Sequence, residues 1–262
     1  MLQIKARIIS NKRCKGNYRH CIVNAKSLAK ASNPGQFLNI RVSDGLKPFL
    51  RRPFSVHNIN GSNLEILYEV AGEGTKLLAD KNPGEYLDII GPLGHGFDCR
   101  QEANRQTILI GGGIGIAPLL FLSRKIKSKN KIALIGARTK SQVLCEKEFR
   151  SLGCDVKIAT DDGSAGFKGR VTALLKKVLQ ANRPTGQQVT IYACGPRSML
   201  KAVCSIAMQN NIPAQVSLEE HMSCGIGACL GCVIKTRKGL ERVCKEGPVF
   251  NREDLTWGKN EN

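Results

Sequence analysis

Aromatic residues are scarce in this 262-residue chain: Phe, Tyr and Trp together make up 5%, with a single tryptophan. Proteins that grip single-stranded nucleic acid stack bases on clustered rings. The scarcity therefore argues against that class, although the formal charge is +19, from 40 Lys and Arg against 21 Asp and Glu. The basic residues are spread along the chain, which fits a solvated basic surface, and no nucleic-acid partner is expected. Histidine is also rare, at four. No Ser/His/Asp or paired-carboxylate arrangement can be argued, so acid–base catalysis has no candidate residues. Long apolar runs are missing as well. The longest charge-free stretch, Gln106–Ser123, contains Gly111, Gly112, Gly113, Gly115 and Pro118 and reads as strand, loop and helix, not as a membrane span. Met1–Ser10 alternates like a strand and interleaves Lys5 and Arg7 where a signal peptide would be apolar. A cytoplasmic protein with no membrane contact is expected. The eleven cysteines include seven scattered ones (Cys14, Cys21, Cys99, Cys145, Cys154, Cys194 and Cys204), which fit free thiols better than a disulfide framework.

The other four, Cys224, Cys229, Cys232 and Cys244, follow the spacing C-x4-C-x2-C-x11-C. That is the ligand pattern of a plant-type 2Fe-2S cluster. Three thiolates within nine residues must converge on one core, so the backbone has to curl tightly, and Gly225, Gly227 and Gly231 permit the required positive φ angles and close approach. Cys244 returns on the far side of a predicted hairpin, Val233–Val243. A structural zinc site also takes four cysteines, but it favours paired knuckles, and here the fourth cysteine stands alone.

Turn signals divide the chain into three segments. Residues 1–100 carry short apolar or alternating runs at Leu2–Ile9, Cys21–Leu28, Gln36–Val42, Ser55–Ile59, Leu64–Val70 and Tyr86–Ile90, interrupted by a helical stretch at Thr75–Lys81. This predicts a small antiparallel β-barrel. Residues 101–217 alternate strands (Thr107–Ile110, Lys131–Gly136, Asp155–Ala159, Val189–Ala193, Ala214–Ser217) with helices (Ala117–Lys127, Lys147–Leu152, Gly169–Leu179, Arg197–Gln209), predicting an α/β domain with a parallel sheet. Residues 218–262 hold the cysteine loop and end in a polar tail. The expected fold class is thus multidomain α+β: barrel, parallel-sheet domain and a small C-terminal cluster domain.

Arg51-Arg52-Pro53-Phe54-Ser55 opens a predicted strand, Leu67-Tyr68-Glu69 lies on another, and Gly72-Glu73-Gly74-Thr75 opens the helix. An arginine fork suits pyrophosphate, a serine hydroxyl suits a flavin edge, and a glycine turn at a helix N-terminus is a phosphate site. Together these fit FAD. In the second segment Ile110-Gly111-Gly112-Gly113-Ile114-Gly115-Ile116 joins strand to helix, where bare backbone lets a dinucleotide approach. The G-x-G-x-x-G spacing is not met, because Ile116 occupies the third glycine position. Arg138, at the end of the next strand, can hold an adenosine ribose or a 2′-phosphate, leaving NAD and NADP open. Ala193-Cys194-Gly195-Pro196 ends a strand at the sheet edge where α/β ligands bind, whereas Asp161-Asp162-Gly163 reads as a loop, with nucleotide contact as the lesser alternative.

Arg-Pro-Phe-Ser, Gly-Glu-Gly-Thr and Gly91-Pro92-Leu93-Gly94 resemble the ferredoxin-reductase superfamily. With Leu218–Cys232 and Val243–Phe250 added, the whole chain resembles the electron-transfer subunits of NAD-linked (class 1B) dihydroorotate dehydrogenase. The resemblance implies that Arg52, Pro53, Phe54, Ser55, Leu67, Tyr68, Glu69, Gly74 and Thr75 line FAD. It further implies that Gly111, Gly112, Gly113, Gly115, Arg138, Gly195 and Pro196 hold NAD, and that Cys194 lies near the nicotinamide. The position after Tyr68 is often arginine in the family; here Glu69 would repel pyrophosphate, so only its backbone is expected to contribute. The implied partner is an FMN-containing catalytic subunit, in a heterotetramer of two copies of each chain, serving pyrimidine biosynthesis. Nicotinamide exchanges hydride and a 2Fe-2S cluster single electrons; flavin does both, so it belongs between them. Two other readings share some of these parts. One is a reductase subunit of a sulfide dehydrogenase or NADPH-linked transhydrogenase; such chains often place an aspartate among the cluster ligands, and this one has four cysteines. The other is a zinc-stabilised nucleic-acid module.

Overall fold

The computed structural model describes residues 1–100, 105–182 and 188–257. The N-terminal part contains β1 (Leu2–Lys15), β2 (Tyr18–Asn24), α1 (Lys26–Ala31), β3 (Phe37–Arg41), β4 (Arg52–Ser55), β5 (Asn58–Asn60), β6 (Asn63–Glu69), α2 (Glu73–Asp80) and β7 (Tyr86–Leu93). The strands form one antiparallel sheet in the order β4-β3-β7-β1-β2-β6-β5. Its two ends, β4 and β5, are separated only by Val56 and His57. A single bent stretch therefore pairs first with β3 and then with β6, closing the sheet on itself as sheet corners do. Alternating residues point inward, so Ile8, Leu38, Ile40, Leu64, Ile66 and Ile89 fill the barrel.

Two expectations for this part change. Strand β1 runs to Lys15, beyond Ile9, because register shifts at Ile8/Ser10 and Arg13/Lys15 break the two-residue alternation and bend the strand from β7 onto β2. The strand expected over Cys21–Leu28 stops at Asn24. The Ala25 amide bonds Ser62 O, and the good helix formers Lys26–Ala31 turn into α1, burying Leu28 and Ala29.

The second part is a sheet of β8 (Gln106–Gly112), β9 (Lys131–Ala137), β10 (Asp155–Thr160), β11 (Phe167–Lys168), β12 (Val189–Cys194) and β13 (Ala214–Ser217), alternating with α3 (Ala117–Lys125), α4 (Glu146–Ser151), α5 (Val171–Asn182) and α6 (Arg197–Gln209). Strand order is β11-β10-β9-β8-β12-β13, all parallel. The short β11 went unforeseen. Helix α5 begins at Val171, two residues past the expected Gly169, whose φ of +126° lies outside helical space. Helices clothe both faces: α3 and α4 pack with Leu109, Ala133 and Ile135, while α5 and α6 cover Ile108, Ile110 and Leu134. From the central β8 the chain winds outward through β9 to β11, then crosses back to β12 on the other side. The crevice between the carboxyl ends of β8 and β12 is the topological switch point, where ligands of such sheets bind.

The cysteine segment follows, with the hairpin β14 (Val233–Thr236) and β15 (Gly239–Arg242), and then β16 (Val249–Asn251). Strand β16 pairs antiparallel with β13, and Cys232, Val243 and Cys244 share the apolar core under α5 and α6. The cluster segment is thereby sewn to the edge of the parallel sheet.

Candidate functional site

The cysteine loop sits against the barrel. Asn39, on β3, donates from Nδ2 to Cys224 O at 3.0 Å. Gly225 has φ +69°, and a Cβ there would lie 2.6 Å from Asn39 Nδ2, so only glycine allows this contact. Amides point at sulfur: Ala228 N and Cys229 N lie 3.3 and 3.4 Å from Cys224 Sγ, Gly231 N 3.5 Å from Cys229 Sγ, and Cys244 N 3.4 Å from Cys232 Sγ. Burial alone would raise Cys224, but donors from Ile226, Cys229 and Ala228 bring it down to about 6. Burial and the adjacent Cys232 thiol push Cys244 up to about 12. Arg242 braces the loop, donating to Gly227 O at 2.8 Å while pairing with both carboxylate oxygens of Glu246.

Backbone amides tie Cys229 to Cys224 and Cys244 to Cys232, and four cysteines with N–H donors aimed at sulfur fit an iron–sulfur cluster.

A cavity of about 580 Å³ lies between barrel, parallel sheet and cysteine segment. Its barrel wall includes Pro53, Phe54, Ser55, Leu67, Tyr68 and Glu69, six of the residues expected to line FAD. Phe54 and Tyr68 meet edge to face at 5.7 Å, and Tyr68 OH donates to Asn11 Oδ1 at 3.0 Å, which fixes the wall. Opposite stand Cys194, at the end of β12, and Leu218–Met222, which runs directly into Cys224. Burial pushes the Cys194 thiol well up, so it is a neutral thiol.

Arg52, Gly74 and Thr75 do not line this cavity; they sit beside it, at the N-terminus of α2. A Cβ on Gly74 would come 2.7 Å from Arg52 Nε, so the guanidinium lies flat on the helix start. The guanidinium also donates from Nη1 to Leu50 O at 2.6 Å, and a cation beside the positive end of a helix dipole suits an anion bound between them. The Thr75 hydroxyl is spent inside the turn, accepting from Ala71 N and Gly72 N, so its own part is to shape the turn. The paired arginines divide their work. Arg51 bonds Asp88 Oδ2 at 2.7 Å and Asp88 O at 2.9 Å, leaving Arg52 alone at the helix.

A second cavity, of about 690 Å³, opens at the switch point. Gly112, Gly113, Gly115, Arg138, Gly195 and Pro196, all expected to hold NAD, line it. Gly111 does not; a Cβ there would strike Ile116 at 2.4 Å, so its role is to let the turn fold back on itself. On Gly115 a Cβ would meet Cys194 O at 2.5 Å, which seats the turn against β12. Gly113, with φ +55°, has nothing within 4 Å of that position and offers open backbone to a ligand. Asp161, whose loop the sequence offered as a nucleotide contact only in second place, joins the wall, as do Tyr18 and Arg170, which no local motif marked, and Glu219, which lies in the Leu218–Cys232 segment but was given no role there. Burial and nearby Glu69 raise the Tyr18 phenol while Arg138 lowers it. Glu69, Ile114 and Glu219 line both cavities, which therefore adjoin. Burial raises the Glu219 carboxyl above its ordinary value.

Comparison with known proteins adds the following. Residues 219–256 match the iron–sulfur cluster binding domain of dihydroorotate dehydrogenase B, and residues 109–205 match the oxidoreductase NAD-binding domain. The chain is 41% identical over 259 residues to the electron transfer subunit of dihydroorotate dehydrogenase B (NAD(+)) of Caldanaerobacter subterraneus subsp. tengcongensis, covering 97% of this chain and 99% of that one. The subunit of the same name from Bacillus pumilus is 39% identical, with 95% and 96% covered. Among solved structures, an NADH-dependent reduced ferredoxin-NADP oxidoreductase superposes with a TM-score of 0.84 at 28% identity, covering 96% of this chain and 90% of that one. The ferredoxin-NADP+ reductase of Plasmodium falciparum, with a TM-score of 0.66 at 16% identity over 82% of this chain and 96% of its own, shares the fold.

Proposed function

Because the chain belongs to the family of electron transfer subunits of NAD-linked dihydroorotate dehydrogenase B, we propose that it carries electrons from a catalytic partner subunit through a 2Fe-2S cluster and FAD to NAD+. It is an oxidoreductase subunit of pyrimidine biosynthesis. The observation that carries the reading is the linear order of the three sites. The nucleotide cavity adjoins the barrel cavity across Ile114, Glu69 and Glu219, and the far wall of the barrel cavity continues into the cysteine loop. Bound in that middle position, FAD exchanges hydride with nicotinamide and single electrons with the cluster.

The chain's own residues prepare each place. Arg52 and the start of α2 would hold the pyrophosphate of FAD, with Pro53, Phe54, Ser55, Leu67 and Tyr68 along its length. The open backbone at Gly113 and Gly115 would admit NAD to the start of α3, with Arg138 and Arg170 supplying positive charge for its ribose and phosphates. Glu219 stands where the two cavities meet, with the buried Cys194 thiol beside it on the wall of the barrel cavity. Cys224, Cys229, Cys232 and Cys244 would hold the cluster, and the amides aimed at their sulfurs stabilise negative charge on it.

The catalytic partner in this reading contains FMN and docks over the cluster, in a complex of two copies of each chain. Support comes from the exposed Cys229, flanked by exposed Ile226 and Leu230 at 45% and 63%. Among the described residues no helix is long and apolar enough to cross a membrane. A cytoplasmic setting is part of the same reading, supported by the free thiols of the seven cysteines outside the cluster loop. Anaerobic reconstitution with the FMN subunit tests it: dihydroorotate should drive NADH formation, whereas each chain alone should not. Failure of the loaded pair to form NADH, or a strong preference for NADP+, would favour the transhydrogenase-type alternative.

A further inference from the structure

His20, His57 and Glu65 bring three ligand atoms within 4.8 Å of one another on the barrel wall, away from the cysteine loop and outside both cavities. His20 lies on β2, Glu65 on β6, and His57 at the bend between β4 and β5. His20 Nε2 and Glu65 Oε2 are 2.9 Å apart, and the two imidazoles meet edge to face at 5.6 Å. His57 is 5% exposed, and its Nδ1 donates to Ala117 O at 2.7 Å, which fixes the tautomer and leaves the Nε2 lone pair free. A backbone carbonyl on the second ring nitrogen is the usual partner of a metal-bound histidine. Asn58 Nδ2 likewise orients the carboxylate, donating to Glu65 Oε1 at 3.0 Å, while Asn58 Oδ1 is buried with no partner.

We propose that His20, His57 and Glu65 form a site for one zinc-class divalent ion, with two imidazoles and one carboxylate as ligands. Two nitrogens and one oxygen suit zinc or its borderline neighbours and leave a fourth position for water. The ion fastens the barrel to the glycine turn, since His57 is bonded to Ala117, the first residue of α3.

The test is titration of Zn²⁺ into the chain carrying its flavin and cluster, so that the four ligand cysteines are occupied, with calorimetry and zinc-edge X-ray absorption as readouts. One ion per chain is expected, in a nitrogen and oxygen shell with imidazole scattering. His20→Gln and Glu65→Gln sit at partly exposed positions and should keep the flavin spectrum. Each should weaken binding by at least the roughly 10- to 100-fold that loss of a supporting partner costs at such sites. No saturable binding, a sulfur shell, or undiminished affinity in both variants would overturn the proposal.

Discussion

Replacing Gly225 by alanine should release the cluster while leaving the flavin in place. The residue holds φ +69°, and its new Cβ would lie 2.6 Å from Asn39 Nδ2, the atom that donates to Cys224 O. Left-handed backbone costs a residue with a side chain about 1–2 kcal/mol. Displacing Asn39 removes one hydrogen bond, worth about 1 kcal/mol, and strands a buried amide whose Oδ1 already lacks a partner. The sum, about 2–4 kcal/mol, falls on the segment that presents three ligands, and corresponds to roughly 30- to 1000-fold weaker cluster retention. The assay is loss of iron–sulfur absorbance and of the reduced-cluster EPR signal under a chelator, with FAD followed by fluorescence. Gly239→Ala is the control. That glycine also has positive φ, +115°, but nothing lies within 4 Å of the added carbon, and it caps the hairpin away from the ligands. If Gly225→Ala retained its cluster as Gly239→Ala does, the argument from Asn39 would be wrong.

Arg52→Ala should leave the helix start without its facing charge and lower FAD affinity about 10- to 100-fold, measured by flavin retention on gel filtration; Arg51→Ala should instead lower Tm with little change in affinity. Gly115→Ala, whose Cβ meets backbone at 2.5 Å, should raise KM for NADH in a dye-reduction assay and leave the flavin and cluster spectra unchanged. Arg170→Ala should raise that KM as well. Asp88 is held below its ordinary 3.8, since the Arg51 and Gln3 hydrogen bonds outweigh the opposing effect of burial. Its contribution is therefore complete above pH 3.8 and is lost as pH falls through the lower folded value. Asp88→Asn should lose about 1 kcal/mol near neutrality, screened by solvent, and show a flatter acid limb in a Tm-versus-pH series.

The iron–sulfur segment was legible because three of its four cysteines fall within nine residues, where spacing and glycine content describe a loop without reference to anything distant. How those cysteines meet was not legible, since Cys244 joins Cys232 only after the β14–β15 hairpin has turned. The arginine pair shows a similar limit. Strand alternation says that Arg51 and Arg52 face opposite ways, but not that β7 brings Asp88 to the first and α2 its N-terminus to the second. Tyr18 and Arg170 carried no signal at all, and Glu219 none for this role, because they reach the nucleotide cavity from three remote elements. The overrun of β1 past Ile9 and the turn into α1 were lost for a different reason. Bulges and six-residue helices leave no period long enough to read.

By itself, the order of residues determined the parts: a cysteine loop, an Arg-Pro-Phe-Ser strand, a glycine turn and the strand–helix alternation around it. Each is written in contiguous chain, where local backbone freedom and side-chain chemistry suffice. Only the tertiary structure decided that these parts stand in line, through the kink that closes the barrel, the crossover that opens the switch point, and the return of β16 to the edge of the parallel sheet. The reason is physical: the relation between distant segments is set by which apolar faces bury one another, and that depends on the whole chain at once.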